Sequence, residues 1–538
     1  MRIGNRIKNA IGIEGSVKDS LLPMMAYNSY NISWAGNNQL QVFYTMFLAR
    51  VEGLGLARTG TIVLFRSLVD AFIDPFLGMM SDRTRSRWGK HRPYIFLGAL
   101  PFGITCFLMW TSFGISDSGN VGRLMLYYIL ANMLFMAVNS FINVPHTAML
   151  PELAPDYFQR TQYISVQYIF NSVGMLPAQL LAAAFLGFTT TAEFSPSLRP
   201  TFRTMALIFS VVSIFPILAT ALFTKEKSSE NLQRPDMNIR FLVREYRSVF
   251  HNRAFVQFFV MRFLLVFGTR FFTSGITRNF FITETAGAGE FLVLITFWAG
   301  AAEMLAFPLN YGLTKKIGKA KMGWATIPFW FASLALTLFI GPNMLPLLFV
   351  QELLAPFGSS GINWAVQNIQ PDVTDVDEMI TGRRREGAMT AVDNLIRTST
   401  EGVLTYIIGI ILEFFGIEGS VSGYEGDGVM FSARAANIVG PRWGGPNAGM
   451  RLVRGVLPMI FIGLTMLALR RFTMTKDDHK LIQELIKEKH ENGMVEITDK
   501  QKARMEEIAG QKWEDMWIGR VESGHRNQEC LAGVSEEL

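Results

Sequence analysis

From about residue 20 to about residue 475 the chain alternates long apolar stretches with short polar breaks. A helix needs about 20 mostly apolar residues to cross a bilayer, so the pattern predicts spans at 23–48, 57–81, 92–113, 121–149, 161–187 and 203–223. A second set follows at 254–282, 288–313, 320–341, 343–367, 388–415 and 449–470. The predicted fold class is therefore an all-α polytopic membrane protein with twelve transmembrane helices in two six-helix bundles. Its parts are an N-terminal segment at 1–22, a first bundle at 23–223, a linker at 224–253, a second bundle at 254–470 with a loop at 416–448, and a charged tail at 471–538.

The polar breaks are not equivalent. Arg83, Arg85, Arg87 and Lys90, then Lys315, Lys316 and Lys319, then Arg383, Arg384 and Arg385 fill alternate connections, whereas 114–120, 283–287 and 341–343 carry no Lys or Arg. Basic loops mark the cytoplasmic side, which orients the chain as a multi-pass protein of the plasma (inner) membrane with both termini cytoplasmic. The linker, with Lys225, Lys227, Arg234, Arg240, Arg244, Arg247 and Arg253, is too charged for lipid and reads as a hinge on that same side. Residues 1–22 hold Arg2, Arg6, Lys8 and Lys18 but no signal-peptide core. The loop at 416–448 departs from the rule, since Arg434 and Arg442 lie where the span count predicts an external cap. The tail predicts an amphipathic helix around Leu481, Ile482, Leu485 and Ile486, on an otherwise solvated extension.

Composition agrees with lipid as the solvent: half of the residues are hydrophobic, 17% are charged and mean hydropathy is +0.25. The net charge of +6 sits in loops instead of on one soluble face, so no nucleic-acid partner is expected. Two cysteines, Cys106 and Cys530, leave no disulfide framework or zinc spacing. There is no P-loop, no HExxH and no nucleophile elbow, so neither an enzyme nor an ATP-driven pump is expected, and no cofactor.

The second span carries Asp70-Ala-Phe-Ile-Asp74-Pro75, two carboxylates one helical turn apart on one face. Each ionised acid at mid-bilayer costs about 2.5–3.5 kcal/mol, and two charges about 6 Å apart repel by about 2.8 kcal/mol at an effective dielectric near 20. A bound cation or a proton removes that penalty, and oxygen ligands suit sodium; an ion pair to Arg66 or Arg270 is the competing explanation. A weaker echo lies 233 residues on, where Glu303, Pro308 and the Lys315–Lys321 loop repeat Asp70, Pro75 and the Lys90 loop, as duplication of a half predicts. Asn31, Trp34, Asn38 and Gln41 form a polar stripe on the first span. Asp393, Arg397 and Glu401 stand at i, i+4 and i+8 of the eleventh, while Arg262 and Arg270 stand eight apart on the seventh. Arg270 could answer Asp393 or an anionic solute, and His146 beside Pro145 is either a proton carrier or a packing residue.

The run Val69–Ile95, with Gly78-Met-Met-Ser-Asp82-Arg83-Thr-Arg85-Ser-Arg87-Trp-Gly89-Lys90, resembles the glycoside-pentoside-hexuronide:cation symporters, the sodium and melibiose symporter type of the major facilitator superfamily. Asn143-Val-Pro145 with Leu150-Pro-Glu152, and Asp372 to Glu378 with Thr381-Gly-Arg-Arg-Arg-Glu386, extend the likeness over residues 20–475. The resemblance implies the major facilitator fold, alternating access by two bundles, and symport of a sugar or glycoside by a monomer. It also implies a sodium-type site at Asp70 and Asp74 with Ser140 as the fourth-span hydroxyl and Asn143 nearby, and a cytoplasmic gate at Asp82, Arg83, Arg85 and Arg87. Ile73 stands where melibiose-carrying members have an asparagine, which removes a neutral ligand and keeps proton coupling level with sodium. The family's sugar-binding positions are changed: Trp34, Asn143, Thr147 and Tyr168 replace two acids, a tryptophan and an arginine. The substrate set predicted here is Asn31, Trp34, Asn38, Thr147, Tyr168, Arg270, Trp364, Asp393 and Arg397, in which Trp34 and Trp364 stack on a sugar ring. A lipid or other non-sugar solute on the same fold, or a non-transporting receptor or scaffold, is the alternative.

Overall fold

A computed structural model describes residues 21–154, 157–187, 195–226, 247–317, 319–383, 385–415, 446–472 and 474–520. The described residues are helical and contain no strand. In order the helices are α1 (Leu22–Asn28), α2 (Tyr30–Met46), α3 (Leu56–Asp82), α4 (Arg92–Met109), α5 (Val121–Leu153), α6 (Tyr157–Leu186) and α7 (Arg199–Phe223). The second half has α8 (Arg253–Thr273), α9 (Gly275–Phe280), α10 (Leu292–Ile317), α11 (Lys319–Phe339), α12 (Leu345–Gln367), α13 (Gln370–Thr381), α14 (Glu386–Phe414), α15 (Pro446–Arg451) and α16 (Leu457–Arg471). Two more, α17 (Lys476–Asn492) and α18 (Asp499–Ala509), lie in the tail. Every predicted span coincides with a helix or with two successive helices.

Among the described residues, ten segments are long and apolar enough to cross a membrane. The first two spans, α1–α2 and α3, fall short of that measure because their apolar runs are broken by Asn28, Asn31, Asn37, Asn38, Gln39 and Gln41, and by Arg58, Arg66, Asp70 and Asp74. Those polar residues include the predicted site positions Asn31, Asn38, Asp70 and Asp74. Helix interiors hold Pro101, Pro177, Pro216, Pro328 and Pro356, as membrane helices tolerate when nearby groups re-satisfy the backbone. Exposed Leu126, Leu130 and Leu134 on α5, and Val211, Val212 and Phe215 on α7, are apolar stripes suited to lipid contact.

The chain divides into two compact units. One comprises residues 1–237, 266–362 and 395–462; the other comprises 238–265, 363–394 and 463–538. In the first unit α3 packs on α5, α2 on α6, and α4 on both α5 and α7. The α2–α6 crossing is close because of Gly174, where any Cβ would collide with the Ile32 carbonyl.

Two corresponding turns end the first and seventh spans within this unit. Each is a π-helical turn, Phe47–Val51 and Phe281–Thr285. In each, an N–H seven residues on from the turn's start closes back, Leu54 to Leu48 O at 3.1 Å and Ala288 to Ile282 O at 2.9 Å, and each loop then contains a positive-φ glycine, Gly53 or Gly287. The two turns stand 234 residues apart and face each other through an Arg50–Glu284 ion pair. The repeat seen weakly in sequence at Asp70 and Glu303 is therefore present in backbone detail. Beside the ion pair, Asn279 Nδ2 donates to the Val42 carbonyl at 2.6 Å and Glu413 accepts from Ala57 N–H at 2.7 Å.

The second unit holds a correction. The tail is folded, not merely solvated: Ile482, Leu485, Met505, Ile508, Met516 and Ile518 are buried. Both tail helices begin with capping boxes, Thr475 with Asp478 and Thr498 with Gln501, and end at left-handed Gly493 and Gly510. Residues 227–246 of the linker and the loop at 416–445, with Arg434 and Arg442, lie outside the described residues.

Candidate functional site

The site grows from α3, whose polar residues Arg66, Asp70 and Asp74 recur every four positions and so share a face. Asp70 is buried and its Oδ1 accepts from Ser140 Oγ on α5 at 2.8 Å. Asp74 Oδ1 is buried with no hydrogen-bond partner among the described residues. A buried carboxylate oxygen left without a donor is expensive, so the geometry provides a vacant acceptor beside a second carboxylate and a hydroxyl. Neither acid is within ion-pair distance of an arginine among the described residues. Arg66 instead donates to Gln41 Oε1 at 2.5 Å and lies over the Phe135 ring, while Arg270 pairs with Glu401 at 3.0 Å. Arg397 on α14 is near enough for its charge to reach both Asp70 and Asp74, and Thr398 reaches Asp70.

Around this couple the predicted residues divide. Asn31 belongs to an amide ladder, accepting from Gln167 Nε2 and donating to Asn28 Oδ1, both at 3.1 Å. Trp34 packs half-buried against the core of the first unit, while Asn38 is exposed. Asn143 is half-buried on α5. Thr147 is exposed and its hydroxyl returns to its own helix at Val144 O, 2.9 Å away. The side chains of Tyr168 and Asp82 lie outside the described residues, and Arg83, Arg85 and Arg87 are exposed after α3. His146 is fully enclosed, bonded to the Tyr27 carbonyl at 2.9 Å and stacked on the Tyr27 ring at 4.2 Å, an arrangement of packing.

In the second unit Asp393 is answered by Arg262, not by Arg270: Arg262 Nε and Nη2 reach its two oxygens at 2.8 and 3.4 Å, and Nη1 reaches Asn363 at 3.3 Å. Helical spacing put both arginines on one face of α8, and depth along the helix decides which meets Asp393. Trp364, at the end of α12, is half-buried.

Sequence reasoning missed a buried network in the first unit. Glu352 on α12 takes Arg454 Nη2 at 2.7 Å and Arg278 Nε at 3.2 Å, and the Arg454 guanidinium lies 4.1 Å from the Phe272 ring. The signal available was a lone Glu inside an apolar span; its partners are some hundred residues away in sequence. Also missed was Glu226, just past α7, which accepts from the N–H groups of Lys90, His91 and Arg92 and from His91 Nδ1 at 2.7 Å. Although burial pushes this carboxyl up, the His91 ring and those N–H groups hold it below the ordinary glutamate range. Lys90 in turn pairs with Glu152 at 2.6 Å.

A family model described as MFS/sugar transport protein matches residues 28–476. The chain belongs to that family. It is thus a multi-pass secondary active transporter of the major facilitator superfamily and not an enzyme, as its sequence predicts. An isoprimeverose transporter of Lactiplantibacillus pentosus is 25% identical, over 89% of this chain and 95% of the relative. An uncharacterized symporter of Synechocystis is 23% identical over 82% and 94%, and an inner membrane symporter of Escherichia coli 26% identical over 65% and 73%. Among solved structures, a bacterial homolog of the lysosomal transporter Spinster superposes with a TM-score of 0.57 at 14% identity, covering 85% of this chain and 98% of that one. A D-xylose–proton symporter does so with 0.53 at 12%, covering 82% and 96%. These likenesses support the major facilitator fold.

Proposed function

We propose that the chain carries a sugar or glycoside inward together with a monovalent cation, sodium or a proton, held at Asp70 and Asp74. The observation that carries this reading is the orphaned Asp74 Oδ1 beside Asp70 and Ser140, an all-oxygen set with no arginine in contact. Hard monovalent cations prefer such donors, and a shared proton satisfies the same pair. The names of relatives, an isoprimeverose transporter and lactose permeases among them, support a glycoside as the solute.

In this reading the ion neutralises the couple and steadies α3 against α5, and solute binds once that charge is cancelled. Trp34 and Asn38 on the first span are the nearest of the predicted sugar contacts in sequence to Gln41 and its partner Arg66. Coupling is tight when ion and solute stabilise the same closed state. A monovalent cation moving down about 100 mV releases about 2.3 kcal/mol, close to a fifty-fold solute gradient. The basic loops support an orientation in the inner membrane with the 83–91 connection and the termini on the cytoplasmic side and the paired π turns on the other.

The test is uptake into proteoliposomes of labelled isoprimeverose, lactose, xylose and a glucuronide under a sodium gradient or a pH gradient. Asp70→Asn and Asp74→Asn are expected to abolish accumulation of whichever solute the wild type concentrates. Uphill uptake by both variants would overturn the assignment of the ion.

A further inference from the structure

The sequence motif Asp372 to Glu378 is not absorbed by the cation site, and in the second unit it is covered by the tail, most of which lies beyond the family match at 28–476. We propose that residues 475–520 form a built-in clamp on α13 and the start of α8, tightened by acid through His479. The proposal rests on how the two surfaces are matched. On α13, Asp372, Asp375 and Glu378 stand three residues apart, one acidic edge. On α17, His479 Nε2 lies 2.9 Å from Asp375 Oδ2 and 3.7 Å from Asp372 Oδ1, Gln483 Nε2 donates to Asp375 Oδ2 at 3.0 Å, and His490 Nε2 lies 3.4 Å from Glu378.

Apolar contacts close the same joint. Trp517 lies against Gly382, so closely that a Cβ on that glycine would meet its ring, and the His490 ring is 5.0 Å from Trp517. Buried Ile482, Leu485, Met505 and Ile508 fill the space between. The tail also reaches α8: Gln511 donates to the His251 carbonyl at 3.2 Å, Arg253 donates to the Glu507 carbonyl at 3.3 Å, and Gly510 abuts the Arg253 side chain.

Protonation at His479 decides how strongly this joint holds. A neutral imidazole makes one ordinary hydrogen bond to Asp375, whereas an imidazolium adds charge-assisted contacts to two carboxylates at once. Of the other charged or titratable groups at the joint, Arg504 is paired with Asp478 at 2.8 Å, Arg385 with Asp377 at 2.7 Å and Lys489 with the Arg520 carbonyl, while His490 faces Glu378 at 3.4 Å as a second, weaker contact. The joint therefore tightens as falling pH protonates the imidazole and loosens as rising pH removes that proton. If the transport reading above is right, the clamp stiffens helices α8 and α14, which bear the Arg262–Asp393 pair, and slows the carrier when its own side turns acidic.

The test does not need the solute. Hydrogen exchange of the purified full chain, corrected for intrinsic rates, is expected to show protection of 476–492 and 370–381 rising on the order of fivefold from pH 7.5 to pH 6.0. His479→Gln, which keeps a hydrogen bond but cannot titrate, is expected to lose most of this rise, and His479→Gln with His490→Gln is expected to hold the pH 7.5 level at both pH values. Truncation after Phe472 is expected to expose 370–381 and 253–265 several-fold at either pH. PH-independent protection in the wild type, an unchanged response in His479→Gln, or unaltered exchange of 370–381 after truncation would each overturn the clamp, and none of these outcomes depends on which ion or sugar is carried.

Discussion

At the residue scale, Asp70 and Asp74 differ in a way that predicts different phenotypes. Asp70 is engaged by Ser140, whereas Asp74 has the vacant oxygen. Ser140→Ala removes the hydroxyl that donates to Asp70 Oδ1 without changing charge. It is expected to weaken cation affinity on the order of tenfold while leaving maximal transport nearly intact, because one neutral ligand is worth about 1–2 kcal/mol. The activation curve of uptake against sodium or proton concentration checks this; an unshifted curve would remove Ser140 from the site. The pair itself was legible from the sequence, because intramembrane carboxylates are rare and four-residue spacing fixes a common face. Its partners were less so. Arg66 and Arg270 both qualified by position, and only tertiary packing shows Arg66 on Gln41 and Arg270 on Glu401. Thr147, suggested by its place in the family pattern, is spent on its own helix, since a hydroxyl in lipid bonds the nearest free carbonyl.

At the scale of elements, α12 depends on Glu352. Arg454 and Glu352 are almost completely buried, and Arg278 joins them. Removing the carboxylate strands two guanidinium groups, for which a cost of about 3–5 kcal/mol is expected. Glu352→Gln should therefore lower the thermal midpoint sharply, whereas Glu352→Leu with Arg454→Met, which discards a charge pair together, should recover part of the loss. Equal midpoints for the single and double variants would show that the network is not a unit. A second element, the end of α7, is tied to the start of α4 by Glu226. Because the folded carboxyl is held below its ordinary range, this tie is at full strength above the ordinary glutamate pKa near 4.3 and is lost as pH falls through the lower folded value. Glu226→Gln should be less stable than the wild type at neutral pH, and the gap should close in acid. Neither network was visible beforehand, since each joins residues more than seventy positions apart, while hydropathy reports only local sequence.

For the whole molecule, what hydropathy showed well was the succession of helices and their charge bias; what it showed poorly was how the halves meet. The repeat suggested by Asp70 and Glu303 becomes informative once the π turns are seen, for Arg50 and Glu284 occupy equivalent places in the two halves and carry opposite charge. A pair of opposite charge presented by two corresponding turns is suited to closing one mouth of a carrier, and π turns recur at functional positions in helices. Arg50 and Glu284 are partly exposed, with side chains 20% and 40% accessible, so the pair is worth about 0.2–1 kcal/mol. That is enough to shift a balanced equilibrium between open and closed mouths a few-fold, though too little to unfold the protein. Glu284→Gln should raise the labelling rate of a cysteine placed at Thr45, which lies beside Gly275 at this seam, a few-fold in intact cells. Reversal of both charges, Arg50→Glu with Glu284→Arg, should restore the wild-type rate, since the turns are alike in backbone and differ mainly in the charge they present. If reversal labels as fast as the single variant, the pair does not hold the mouth shut, and the neighbouring Asn279 bond to the Val42 carbonyl would have to account for the seal.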